Sequence, residues 1–179
     1  MQAIEAQGVK FNMTLNHSHV IFKIDNLPEQ EIGNVRGDVE SGKLILEPFI
    51  KCNETDQWIE AGWIRPCHAR AAVSDNPKNL DTMKDDGKPG RGIQYPFKQS
   101  EPGQYHLEWH EEASKPWKES IRGLMRYHAA DPNGVLGQIS TEFIPGPDYG
   151  QGCKHSLFEQ SIECVRWVRQ TLNEIRESA

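Results

Sequence analysis

The stretch VKFNMTLNHSHVIFKI, residues 9–24, carries the pattern on which the predicted fold depends. Apolar residues occupy every second position on both sides of a polar break: Val9, Phe11, Met13 and Leu15 before it, and Val20, Phe22 and Ile24 after it. A period of two residues is typical of a β-strand with one buried face. The stretch therefore predicts two strands near the start of the chain.

The following residues extend this pattern. Two segments, Ile32–Val39 and Lys43–Ile50, flank Glu40-Ser41-Gly42, a short turn in which glycine is expected to take a positive φ. Trp58, Trp63 and Ile64 predict one more strand, interrupted at Gly62. Consecutive strands joined by short turns predict an antiparallel meander or half-barrel.

The C-terminal part of the chain has helical periodicity. A first helix is predicted over Lys115–His128, with Ser114 as its N-cap and Pro116 in its first turn. A strand over Val135–Ile144 precedes a longer helix that begins after Ser156, where Ser156 and Glu159 form the pattern of a capping box. The apolar stripe of that helix is Phe158, Ile162, Val165, Val168, Leu172 and Ile175. We expect an α+β fold whose antiparallel, β-rich N-terminal part is covered by two helices, the longer one C-terminal.

Length and composition restrict the class of protein. A chain of 179 residues fits a single domain over residues 1–179, and its net charge of −6 argues against non-specific nucleic-acid binding by the whole surface. Residues 74–103 contain four prolines and four glycines and predict a long polar loop. The start of the chain lacks the pattern of a secretory signal, and no apolar run is long enough to span a bilayer, so we expect no membrane contact and a cytoplasmic location.

The segment YHLEWHEE, residues 105–112, contains the first candidate site. Two histidines four residues apart bind one zinc ion on a helix, but the alternation of this segment predicts a strand, in which they lie about 13 Å apart. In a strand, His106 and Glu108 are neighbours on one face, as are His17 and His19, so two paired strands would gather metal ligands. Glu111 or Glu112 would then serve as a general base. The alternative is an ordinary solvated face.

A second candidate is a thiol. Cys153 lies just before the predicted C-terminal helix, whose electropositive N-terminus favours a thiolate, and His155 is close to it in sequence. This pattern would suit a catalytic Cys153 with His155 as its partner. Glycine-rich segments before helices are also common in ordinary loops, so the structural alternative stays open.

A third candidate is a basic stripe on one side of the first predicted helix, made of Lys115, Lys118, Arg122 and Arg126, of which the last three are the candidate ligand-binding residues. At 100° per residue these side chains project within a narrow sector, away from the apolar face. Together with Arg91 and Tyr95 of the long loop, the stripe is a candidate binding surface for an anionic small molecule, or for an acidic or nucleic-acid partner. The alternative is a solvated helix face neutralised by nearby glutamates.

Two common catalytic motifs do not occur in the sequence, which argues against the enzyme classes that use them. The sequence has neither a GxxxxGK[ST] phosphate-binding loop nor a GxSxG nucleophile elbow, and we expect no cofactor. The favoured hypothesis is a non-catalytic binding or interaction module, with a homodimer expected because two helices cover the predicted sheet incompletely. The alternative is a small metal-dependent hydrolase or thiol enzyme that uses the His106, Glu108 and His110 face or the Cys153 and His155 pair.

Overall fold

The computed structural model describes residues 2–74, 94–105, 108–131, 136–145 and 154–178. Within these ranges the chain forms short helices, three strands and two long helices. In order they are α1 (Gln2–Glu5), β1 (Met13–Asn16), α2 (Ser18–Ile21), α3 (Leu27–Ile32), α4 (Arg36–Glu40), α5 (Glu54–Glu60), β2 (Ile64–Ala69), a 3-10 turn (Glu111–Ser114), α6 (Lys115–Ala130), β3 (Gln138–Thr141) and α7 (Leu157–Glu177).

The three strands form one sheet in the order β1-β2-β3, and both neighbouring pairs are parallel. Asn16 is aligned with His68 in the first pair, and His68 is aligned with Ser140 in the second. The α+β composition is confirmed, but the predicted antiparallel arrangement is wrong. Each pair is joined by a long segment that contains helices, and such a crossover lets successive strands run in the same direction.

The predicted meander fails because its later strands are helices and turns. Val20 and Ile21 are buried in α2, although the alternation of this stretch predicted a strand. Short apolar runs fit either element, so periodicity alone does not separate them. Asn26 marks the start of α3, where its side chain accepts a hydrogen bond from the backbone nitrogen of Glu29 at 3.4 Å.

Two glycines keep the positive φ that short turns require. Gly42 has φ of +71°, as predicted, but it follows the end of α4 rather than joining two strands. Gly62 has φ of +69° and lies between α5 and β2, so the predicted strand around Trp58 is replaced by helix on its N-terminal side. Glycine therefore marks helix ends here instead of hairpins.

The C-terminal helices agree with the sequence pattern. Pro116 lies in the first turn of α6, and Ser156 caps α7 by accepting a hydrogen bond from the backbone nitrogen of Glu159 at 3.2 Å. The Ser114 side chain does not cap α6, because its hydroxyl donates to the carbonyl of Glu111 instead. Phe158 is 75% exposed and so falls outside the predicted apolar stripe of α7.

The core lies between the sheet and the long helices. Helix α6 contacts α2, α5 and α7, and α7 also contacts β3. Trp117 is fully buried at this junction, with ring centroids 6.1 Å from Phe97 and 5.7 Å from Trp167. Burial of such large side chains fixes the helices against the sheet, and the fixed strands then hold the residues at their ends.

Two other predicted segments differ in the structure. Residues 108–110 are not a strand, and a 3-10 turn follows them, so the predicted strand across residues 105–112 is wrong in its described part. Residues 75–93 of the long loop lie outside the described residues, whereas Gln94, Tyr95 and Phe97 are buried rather than exposed. None of the described helices combines the length and the apolar character needed to cross a membrane.

Candidate functional site

Parallel strands bring their carboxyl ends to one edge of the sheet, and polar residues follow all three strands there. Asn16 is the last residue of β1, Arg70 directly follows β2, and Glu142 directly follows β3. In open sheets of parallel strands, ligands bind outside the carboxyl ends of the strands. We call the side chains gathered at this place the edge cluster: Asn16, Ser18, His19, His68, Arg70 and Glu142.

Arg70 is the buried centre of the edge cluster, with only 1% of its surface exposed. Its Nε and Nη2 atoms donate hydrogen bonds to the hydroxyl of Ser18 at 3.1 and 2.9 Å. Nη2 also lies 3.0 Å from Nε2 of His19, and Nη1 lies 3.7 Å from Oε2 of Glu142. A buried guanidinium needs such partners, because a charge removed from water is otherwise strongly unfavourable.

Glu142 connects the buried arginine to groups that solvent reaches. Its carboxylate accepts a hydrogen bond from the amide of Asn16, and its backbone nitrogen donates to the carbonyl of Ala69 at 3.2 Å. Its Oε1 lies 3.3 Å from Nδ1 of His68, and the side chains of His68 and Glu142 are 40% and 31% exposed. A carboxylate beside Nδ1 favours a proton on that nitrogen and leaves Nε2 as the basic atom of the neutral ring.

This arrangement has the parts required for proton transfer. A histidine oriented by a carboxylate is a common general acid or base, provided that a ligand can approach its other nitrogen. His68 and Glu142 both keep part of their side chains exposed to solvent. The edge cluster therefore places the imidazole of His68 beside a carboxylate and close to several other hydrogen-bonding groups.

The predicted metal ligands fall in different surroundings. His17 is fully buried, neither ring nitrogen has a hydrogen-bond partner among the described residues, and burial lowers the pKa of its ring to about 3. His19 lies beside the guanidinium of Arg70. Glu108 is exposed and lies 3.6 Å from Nε2 of His110, while His106 lies outside the described residues. In the described part of the chain, no three or more His, Cys, Asp or Glu side chains are grouped to hold a metal ion.

The predicted thiol pair is described only at its histidine. Cys153 lies outside the described residues. His155 is 7% exposed, and its ring meets that of Tyr105 at a centroid distance of 6.1 Å. Burial lowers the pKa of His155 below its ordinary value, which favours the neutral ring. The pairing of the two side chains stays a prediction.

The basic stripe is engaged with other parts of the protein. Lys118 is buried, with its Nζ 5.2 Å from the ring centre of Phe97 and 3.4 Å from a carboxylate oxygen of Glu111. Arg122 stacks over Trp167 at 5.3 Å and lies 3.8 Å from Glu119.

The remaining residues of that prediction are also placed. Arg126 lies 2.7 Å from Glu119 on the surface of α6. Tyr95 is 3% exposed, and its hydroxyl accepts a hydrogen bond from the backbone nitrogen of His110 at 2.8 Å. Burial raises the pKa of this hydroxyl, which keeps the group neutral and suits a packing role. Arg91 lies outside the described residues.

Sequence reasoning missed Asn16, Ser18, His68, Arg70 and Glu142. Each lies within two residues of the end of a short strand, and polar residues there look ordinary until the strands are known to be parallel. The segment His68-Ala69-Arg70, two polar residues that flank a buried alanine, was the available indication.

Comparison of the chain with protein-family models, with curated proteins and with solved structures gives no match.

Proposed function

We propose that the edge cluster binds a small polar molecule and that His68, oriented by Glu142, exchanges a proton with it. The observation that carries this proposal is the 3.3 Å approach of Glu142 to Nδ1 of His68 at the carboxyl edge of a parallel sheet. The proposal keeps ligand binding, the favoured hypothesis from the sequence, and assigns acid–base chemistry to a different set of residues.

The groups around His68 favour a ligand with hydroxyl groups. The carboxylate of Glu142 accepts hydrogen bonds, and the neutral ring of His68 donates a hydrogen bond at one nitrogen and accepts one at the other. The buried cation, Arg70, is already bonded to Ser18 and next to Glu142 and His19. An uncharged hydroxyl compound therefore fits this set of donors and acceptors better than a phosphate does.

The test is a binding map by NMR spectroscopy. Glycerol and erythritol are added separately to isotope-labelled protein, and backbone amide shifts are followed. We expect shifts at the ends of β1, β2 and β3, and their loss in His68→Gln and Glu142→Gln. The matched controls are His110→Gln and Glu108→Gln, which change a second histidine–glutamate contact that is exposed and outside the sheet. Shifts confined to other parts of the chain, or equal losses in the control variants, would contradict the proposal.

Two further predictions from the sequence stay proposals. An anionic partner on the basic stripe is less well supported than the edge cluster, because Arg122 and Arg126 share Glu119 and Lys118 is buried. Self-association as a homodimer is supported by large exposed apolar side chains, among them Ile32, Phe49, Ile50 and Phe158. Light scattering at rising protein concentration distinguishes a dimer from a monomer.

A further inference from the structure

Arg70 imposes a chemical condition on every side chain that contacts it. A guanidinium has five N–H donors and no acceptor, and it stays charged throughout the working pH range. Arg70 is 1% exposed, so its donors meet protein atoms rather than bulk water. Each neighbour must therefore present a lone pair to it.

The hydroxyl of Ser18 presents a lone pair to Arg70 and donates its own hydrogen to Asn16. It accepts from Nε and Nη2 of Arg70, so its own hydrogen is directed to Oδ1 of Asn16. That oxygen also accepts from the backbone nitrogen of Ser18 at 3.2 Å, which leaves the amide nitrogen of Asn16 to donate to Glu142. Donation thus runs in one direction from the buried arginine to the carboxylate.

His19 meets the same condition at a ring nitrogen. Its Nε2 lies 3.0 Å from Nη2 of Arg70 and can only accept there, since a proton on Nε2 would place two N–H groups against each other. We infer that Arg70 is a positioning residue that fixes the proton of His19 on Nδ1 and the orientation of the Asn16 amide. A ligand then meets one fixed pattern of donors and acceptors rather than a mixture.

The use of this pattern in ligand binding rests on the proposed function, but the pattern itself exists in ligand-free protein. It is separable from a merely structural role of Arg70, because loss of packing does not select one ring nitrogen over the other. Arg70→Met removes all donors with a side chain of similar length, and Arg70→Lys retains a charged donor.

The test measures histidine ring nitrogens by long-range ¹H–¹⁵N NMR spectra without ligand. We expect neutral His19 to carry its proton on Nδ1 in the parent and in Arg70→Lys. In Arg70→Met we expect the fraction of the Nε2–H form to rise, because the donor that faces this nitrogen is removed. His110, exposed and outside the edge cluster, is the internal reference and should not change.

The inference would be overturned by a parent His19 with its proton on Nε2, or by a folded Arg70→Met in which the two His19 ring forms have the same populations as in the parent. If Arg70→Met does not fold, the parent still decides, since the Nε–H of Arg70 should exchange slowly with solvent and the guanidinium protons should show a nuclear Overhauser effect to the His19 ring. Absence of both would also overturn it. Failure of hydroxyl compounds to bind would leave these signals unchanged, so the two proposals fail separately.

Discussion

The buried ring of His17 should make the stability of the protein fall as the solution is acidified. The folded protein holds this ring at a pKa of about 3, against 6.5 for the ordinary side chain, because burial opposes the charged form. Between these values the unfolded chain binds a proton that the folded chain does not. Stability is therefore fully present above the unfolded pKa and is lost as the pH falls toward the folded one.

The size of the effect follows from the same two values. Each pH unit over which the unfolded chain holds one proton more than the folded chain lowers the free energy of unfolding by about 1.4 kcal/mol. The interval from 6.5, the ordinary pKa of the ring, down to about pH 5 spans about 1.5 units. Lowering the pH from about 7 to about 5 should thus reduce the free energy of unfolding by about 2 kcal/mol through His17 alone.

Urea unfolding at both pH values measures this loss, and His17→Leu provides the reference. Leucine fills the same buried site with an apolar side chain of similar size that does not titrate. The other titrating groups should therefore contribute equally to the pH dependence of stability in parent and variant. The difference in stability between them should change by about 2 kcal/mol across the interval, to the disadvantage of the parent at low pH. A difference that is the same at both pH values would show that the ring is solvated or hydrogen-bonded in the folded protein, and would refute the reasoning.

Two other predictions compare buried side chains with exposed ones. Lys118→Ala should lower the free energy of unfolding in urea by about 1–2 kcal/mol, because Lys118 is buried against Phe97. Lys115→Ala, at an exposed position, should lower it by only about 0.3 kcal/mol, and equal losses in the two variants would contradict the burial of Lys118. Among the described cysteines, iodoacetamide at about pH 8 should label exposed Cys52 first. Cys67 and Cys164 should react only when the protein unfolds, because burial raises the pKa of Cys67 to about 12 and also raises the pKa of Cys164. Mass spectrometry of peptides identifies the labelled cysteines. Rapid labelling of Cys67 or Cys164 in the folded protein would contradict this prediction.

The long helices were predictable because sequence and structure carry the same information there. In α6 the apolar residues recur at helical spacing, and all of Trp117, Ile121, Leu124 and Met125 are fully buried. Ser156 caps α7 through a contact only three residues away, which a single sequence reveals. Patterns that depend on local spacing are therefore reliable in this chain.

The N-terminal half failed because its elements are short. Helices of four to seven residues do not establish a helical period, so the alternation across α2 predicts a strand where the structure has a helix. Better indications were the N-caps: Asn26 precedes Leu27-Pro28-Glu29, and Asn53 accepts from the backbone nitrogen of Asp56 at 3.0 Å.

The sequence did not predict the edge cluster for a different reason. His68 and Glu142 are 74 residues apart in the sequence and meet only because β2 and β3 are parallel. Strand direction depends on the path of the connecting helices, which periodicity does not record. Without the direction of the strands, neither residue differs from an ordinary surface residue.

The position of the proton on the ring of His68 tests most directly whether Glu142 orients that ring at the carboxyl edge of the sheet. Long-range ¹H–¹⁵N spectra of the ligand-free protein should show neutral His68 with its proton on Nδ1, the nitrogen 3.3 Å from the carboxylate. Glu142→Gln should shift the ring toward the Nε2–H form, and Glu108→Gln should leave it unchanged. A parent spectrum with the proton of His68 on Nε2 would contradict the contact, and with it the proposed role of His68 in proton exchange.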